Sequence, residues 1–162
     1  MATDILLKID GIAGESVIEG HAGEIDVLAW SWGMSQSGTT HTSTGGGSGK
    51  VSVGDITFTK HVDISTGDLI KACTSGRHLS KATLVVRKAG GARPIDYLTL
   101  TMHEVIVSSY NTGGSEDGMD RVQETLSFNF ARFEIEYVQQ DDRGGRRGST
   151  QAGWDIARNR PV

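Results

Sequence analysis

Cysteine is nearly missing from this chain: Cys73 is the only one among 162 residues. A single thiol excludes an intrachain disulfide framework and any zinc site built on several thiolates, and it points to folding in a reducing compartment. Long apolar runs are missing too, since no stretch approaches the roughly 18 consecutive apolar residues that suggest a membrane-crossing helix. The opening residues, MATDILLKIDGIAG, carry an aspartate at position 4 and lack both a basic flank and an uninterrupted apolar stretch. They do not read as a cleaved secretion signal. There is no strong charge of one sign either: 16 Lys and Arg face 20 Asp and Glu, a balance of -4. That balance offers no general attraction for nucleic acid or anionic lipid.

What the chain has in excess is glycine, 22 residues, beside a modest hydrophobic fraction of 36%. Many turns and few long helices follow, and residues 1–162 read as one all-β domain. Ile5, Leu7 and Ile9 open a first strand. Residues 24–36 read as a second, with Asp26, Leu28, Trp30, Trp32 and Met34 on one face and Ile25, Val27, Ala29, Ser31 and Gly33 on the other. The small face suits close approach by another backbone or a guest molecule, while the tryptophans are expected to fill the core. A polar glycine tract, about 37–49, follows as a projecting loop. Val51 to Val62 rebuilds a strand, with Gly54 as a bulge. Ser65 is expected to cap a short helix with an apolar stripe of Leu69, Ile70 and Cys73, ending before Gly76. Strands are expected over 82–88, 95–107 and 122–137, a loop over 111–120, and another loop over 139–153 before a last short strand at Trp154 and Ile156. The sum is a small β-barrel of two packed sheets with one flanking α-helix and a long extended loop.

Tests for chemistry come out negative. GGGSGK at 45–50 lacks the first glycine and the final Ser or Thr of a phosphate loop, and it precedes a strand rather than a helix. His21, His41, His61, His78 and His103 show no local metal-ligand spacing, so no metal or other cofactor is expected. Cys73 and His78 could be drawn as nucleophile and base, but a thiol on an apolar stripe reads as core. Glu134 and Glu136 could be drawn as a hydrolase pair, yet they read as an exposed strand face. Two of the three arginines of DDRGGRRG at 141–148 are offset by Asp141 and Asp142, with no aromatic for stacking. The residues alone leave open a β-barrel module binding a small ligand or peptide, a hydrolase using scattered acids and histidines, and a structural protein.

Several separated pieces are more specific. EIDVLAWSWGMSQSG at 24–38, ITFTKHVDIST at 56–66, LIKACTSGRHL at 69–79, VVRKAGG at 85–91, YLTLTMHEVIVSSYNTGG at 97–114 and GWDIARN at 153–159 together resemble the haemolysin co-regulated protein (Hcp) family, the tube proteins of bacterial type VI secretion. The resemblance implies a barrel that assembles head-to-tail into a six-membered ring with a wide channel. Rings stack into a tube inside a contractile sheath, capped by a spike. The tube is propelled from the cell and carries effector proteins in its lumen, so the chain would be cytoplasmic first and extracellular later, without a cleaved leader. No catalytic activity, nucleic acid or membrane insertion is implied, and no fused toxin segment is expected beyond residue 162. Under this reading Ala29, Ser31 and Gly33 line the lumen. Ring stacking is assigned to Thr39, Thr40, His41, Thr42, Ser43, Thr44, Gly45, Gly46, Gly47 and Ser48.

Overall fold

The structure is a computed structural model that describes residues 3–37, 50–88, 94–117, 121–141 and 145–162. Its elements are β1 (Thr3–Ile9), β2 (Ile25–Asp26), β3 (Ala29–Ser31), β4 (Met34–Gln36), β5 (Val51–Val53), β6 (Ile56–His61), α1 (Thr66–Ser75), β7 (Leu79–Lys88), β8 (Asp96–Gly113), β9 (Gln123–Gln140), β10 (Arg146–Asp155) and β11 (Arg160–Pro161). The all-β reading therefore holds, with one helix among the described residues.

The spine is the β8–β9 hairpin, two strands of 18 residues paired from Leu98↔Tyr137 to Gly113↔Gln123. Such strands are too long to stay flat, and a register shift between Val107 and Ser109 bends them. Ser108 sits at that irregularity and donates its hydroxyl to Asp55 Oδ2 at 2.6 Å. The two halves of β9 take different partners, β6 along 123–128 and β10 along 132–140. On the other side of the hairpin, β8 pairs with β7, β7 with β1, and β1 with β2.

Residues 24–36 are not the single strand that their alternation predicts. β2 pairs with β1 and β3 pairs with β6, so the segment changes partner between Val27 and Leu28. Two single bonds carry the transfer: Val27 N–H donates to Ile5 O at 2.9 Å and Leu28 N–H to Thr59 O at 2.8 Å. The barrel is thus bridged at this point rather than closed by an unbroken ladder. The change of partner also shifts the side-chain phase. Ile25 and Val27 are buried while Leu28 is exposed, and from Ala29 onward the expected faces hold. β4 then leaves to pair with β5 as a separate two-stranded sheet. The bulge expected at Gly54 is instead a break between β5 and β6, where Gly54 N–H donates to Gly33 O at 2.9 Å.

Residues 146–155, expected to lie mostly in a loop, form β10, in register with β9 from Gln140↔Arg146 to Arg132↔Asp155. Its side chains are exposed as far as Ala152, so it lacks the buried alternation by which strands are recognised. The loop expected at 111–120 also begins late, because Asn111, Thr112 and Gly113 belong to β8.

The core is filled by Phe58 and Phe128, whose rings meet edge-on at 4.8 Å, with Leu100, Met102, Val105, Leu126 and the helix residues Leu69 and Ala72 around them. The helix stripe differs from expectation, since Ala72 is buried, Cys73 is half-buried and Ile70 is exposed. Its cap differs too. Ser65 makes no side-chain cap bond to the helix. Asp63 Oδ1 instead accepts from the Ser65 N–H at 2.8 Å and from the Ser65 hydroxyl, and Thr66 Oγ1 accepts the Asp63 N–H at 3.0 Å.

Within this apolar interior lies a charged network. Lys60 Nζ, fully buried, donates to Glu124 Oε2 at 2.6 Å, Asp63 Oδ1 at 2.9 Å and His61 O at 2.9 Å. Glu124 also accepts from the Tyr110 hydroxyl at 2.8 Å and from the Thr66 hydroxyl at 3.0 Å. Tyr110 ionises above the usual phenol range, through burial first and the bond to Glu124 second. Breaking such a network from one side strands an uncompensated charge. Lys60→Met is expected to cost about 3–5 kcal/mol in urea unfolding. The double variant Lys60→Met/Glu124→Leu should lose clearly less than the two single losses combined; simple additivity would show that the pair is not coupled.

Candidate functional site

With Phe58, Lys60, Glu124, Leu126 and Phe128 pointing inward, alternation sends the residues between them outward on β6 and β9. Register then aligns them with β3 and β8. One row runs Ser31, Thr57, Ser127, Ser109, and the next runs Ala29, Thr59, Thr125, Asn111. Cross-strand hydroxyl pairs confirm the shared face, Thr57 Oγ1 to Ser127 Oγ at 3.1 Å and Thr59 Oγ1 to Thr125 Oγ1 at 3.3 Å. The result is a shallow surface across four strands, without a formal charge or a bulky side chain in either row. Two of the three lumen residues chosen from sequence lie on it: Ala29 and Ser31 are exposed there. Gly33 is exposed as well, just beyond the end of β3. Thr57, Thr59, Thr125, Ser127 and Ser109 were missed, although they occupy the polar positions between apolar residues on their strands. The stacking candidates at 39–48 lie outside the described residues.

Trp30 and Trp32 turn inward from the same segment and are half-buried against the core. Trp32 meets Phe133 edge-on at 4.8 Å and donates its indole N–H to Gly54 O at 3.0 Å. Its ring forms one wall of an apolar groove of about 370 Å³ with Met34, Val51, Val53 and Trp154.

Among the described residues, the acids and histidines do not converge into a catalytic arrangement. Glu136 Oε2 accepts from the Gln151 amide at 2.7 Å, and Glu134 Oε1 lies 3.3 Å from His103 Nε2 and 3.8 Å from Arg132 Nε. Both carboxylates line an open cavity of about 560 Å³ with Thr99 and Thr101. His78 is exposed and faces Glu104 at 3.8 Å, while Cys73 is half-buried against the core. Among the described residues, no cluster of His, Cys, Asp and Glu could hold a metal ion, and no helix is long and apolar enough to cross a membrane.

The hydroxyl rows sit on the outside of strands whose inner faces carry the core, so they can be altered without disturbing it. Thr57→Val and Thr125→Val are each expected to change unfolding free energy by no more than about 0.5 kcal/mol. A loss above about 2 kcal/mol in chemical denaturation would mean that these hydroxyls hold the sheet together.

Residues 6–137 match the family model described as "Type VI secretion system effector, Hcp". The chain is 50% identical over 160 residues to Protein hcp1 of Pseudomonas aeruginosa, covering 98% of each chain. Among solved structures it is similar to Hcp1 from Salmonella typhimurium, with 40% identity, a TM-score of 0.81 and 100% of both chains covered. It is also similar to a structure described as a type six secretion system protein, with 29% identity, a TM-score of 0.92, and 99% and 100% of the two chains covered.

Proposed function

Because the chain belongs to the Hcp family of the type VI secretion system, we propose that it is a single-domain structural subunit of the secretion tube, with no catalysis of its own. Six copies join head-to-tail into a ring, rings stack, and the tube leaves the cytoplasm with its spike when the sheath contracts. Effector proteins ride in the lumen.

The observation that carries the lumen assignment is the outer face of β3, β6, β9 and β8. A channel that must hold a folded guest and later release it needs a wall of small side chains, because bulky or charged residues would obstruct the guest or bind it selectively. The rows beginning at Ser31 and Ala29 have that character. On this reading Thr57, Thr59, Thr125 and Ser127 share the wall with Ala29, Ser31 and Gly33. The apolar groove beside Trp32 and the small neutral face are different surfaces on one subunit, and a ring closed head-to-tail requires two unlike patches for its seam besides any surface given to cargo.

Two experiments separate the parts of this reading. Ser31→Gln should leave ring assembly intact, as seen by electron microscopy and light scattering, while reducing the effector retained with the purified rings. Normal effector levels in intact Ser31→Gln rings would remove this face from the lumen. Deletion of residues 38–49 should preserve rings and abolish tubes; tubes formed normally by the deleted chain would withdraw the stacking role from Thr39 to Ser48.

A further inference from the structure

At the opposite end of β8 from the hydroxyl rows, a guanidinium is buried with most of its donors unmatched. Arg87, near the end of β7, has a side chain only 9% exposed. Its planar head carries five N–H donors. Its one hydrogen bond among the described residues runs from Nη1 to Glu19 O at 3.5 Å, the outer limit for such a bond. Nε is buried with no hydrogen-bond partner. Unmatched burial is costly for any donor and more so for a charged one, so this group calls for an acceptor that enters from outside.

The neighbouring acids do not fill that role. Arg87 faces Asp96 of β8 and Asp4 of β1 in register, yet Asp96 Oδ1 stands 3.9 Å from Nε, too far for a hydrogen bond. Asp96 is turned to His21 instead, with Oδ2 at 3.2 Å and Oδ1 at 3.3 Å from Nε2. His21 is held in turn by Glu24, whose two carboxylate oxygens both lie 3.0 Å from Nδ1. The imidazole thus keeps Asp96 to itself. The Nε–H of Arg87 stays open, and it is half of the fork by which arginine grips a carboxylate with two parallel bonds.

Arg87 lines a cavity of about 490 Å³, within the range of small-ligand sites. Arg146, exposed at the first position of β10, lines the same cavity, and Ile95 gives it an apolar wall. Two guanidiniums on one cavity select for an anion. Glu19 and Asp96 line it as well and limit the charge that anion can carry. A second negative charge would be repelled, so a planar monoanion fits better than a phosphate.

We propose that this cavity binds a carboxylate, gripped by the fork of Arg87 and attracted by Arg146, with Ile95 packing against the carbon chain that bears it. The carboxylate belongs to a free small organic acid or to an aspartate or glutamate side chain of another protein; both present the same two oxygens. The site lies apart from the cargo face and does not depend on the tube reading.

The Ile95 methyl resonance of the full chain in its assembled form reads the binding. Acetate and a blocked tripeptide carrying one glutamate are titrated at constant ionic strength. At least one should shift Ile95 saturably while Ile56, in the core, stays in place. Acetamide, the neutral isostere, should have no effect, and phosphate should bind no more tightly than acetate. Arg87→Lys keeps the charge but loses the fork, and should weaken binding on the order of tenfold. Arg146→Gln, at an exposed position, should weaken it about threefold. An unchanged Ile56 resonance shows that both variants are folded. A tripeptide at least tenfold tighter than acetate assigns the site to a protein side chain, and any smaller ratio assigns it to a free acid. The site is overturned by no saturable shift with either ligand, by an equal response to acetamide, by tighter binding of phosphate, or by unchanged affinity in Arg87→Lys or Arg146→Gln.

Discussion

The fold depends on the placement of one buried charge. Lys60 lies on the inward face of β6 between core positions, where an unpaired ammonium would be prohibitive. All three of its donors are used, on Glu124, Asp63 and the His61 carbonyl. Glu124 stands directly opposite it on β9. A slip of one residue between these strands would turn Lys60 or Glu124 to the outer face and leave its partner buried alone. The pair therefore fixes the register of β6 on β9 more sharply than the neighbouring phenylalanines could, because apolar side chains tolerate rearrangement and buried charges do not. Through Asp63 and Thr66 the same network holds the N-terminus of α1, where negative charge is favoured by the helix dipole.

Register on the inside decides composition on the outside. Once Lys60 faces Glu124, Thr59 must face Thr125 and Thr57 must face Ser127. The hydroxyl rows thus exist as a surface only because the core pairing is unambiguous. β3 extends the rows because Trp30 turns inward opposite Phe58, which sends Ala29 and Ser31 outward. The tryptophans and the small residues are two faces of one constraint, and changing the first would displace the second.

Much of this was legible in the sequence. Alternation located β6, β7, β8 and β9, the inward tryptophans and the exposed small residues at 29, 31 and 33, and the separated motifs identified the family. What was not legible depends on partners distant along the chain. The break at Val27 and Leu28 arises because one segment serves β1 and then β6, so an unbroken alternation concealed a change of phase. The carboxylate of Asp63 that holds the N-cap residue Ser65 was hidden as well, because Ser65 itself has the commoner capping signature. The Lys60–Glu124 pair left a readable trace, since Lys60 shares parity with Ile56 and Phe58 while Glu124 shares it with Leu126 and Phe128. One opposite charge at a core position in each of two strands suggests that they are neighbours. No comparable trace joins His21 to Asp96, 75 residues apart.

β10 shows why a strand can be hard to recognise for a physical reason. Among the described residues its outer edge pairs only at Trp154 and Asp155, with β11, which leaves the backbone from Arg146 to Gly153 open. An open edge of that length can recruit any extended chain unless its sequence discourages it. Here the edge begins with two arginines, carries a register shift between Arg146 and Gly148, and continues through Ser149, Thr150 and Gln151 with exposed side chains. Those features oppose indiscriminate pairing, and they also erase the apolar alternation that marks a strand. The same polarity that keeps the edge soluble made it read as a loop, and for an edge strand the two effects cannot be separated.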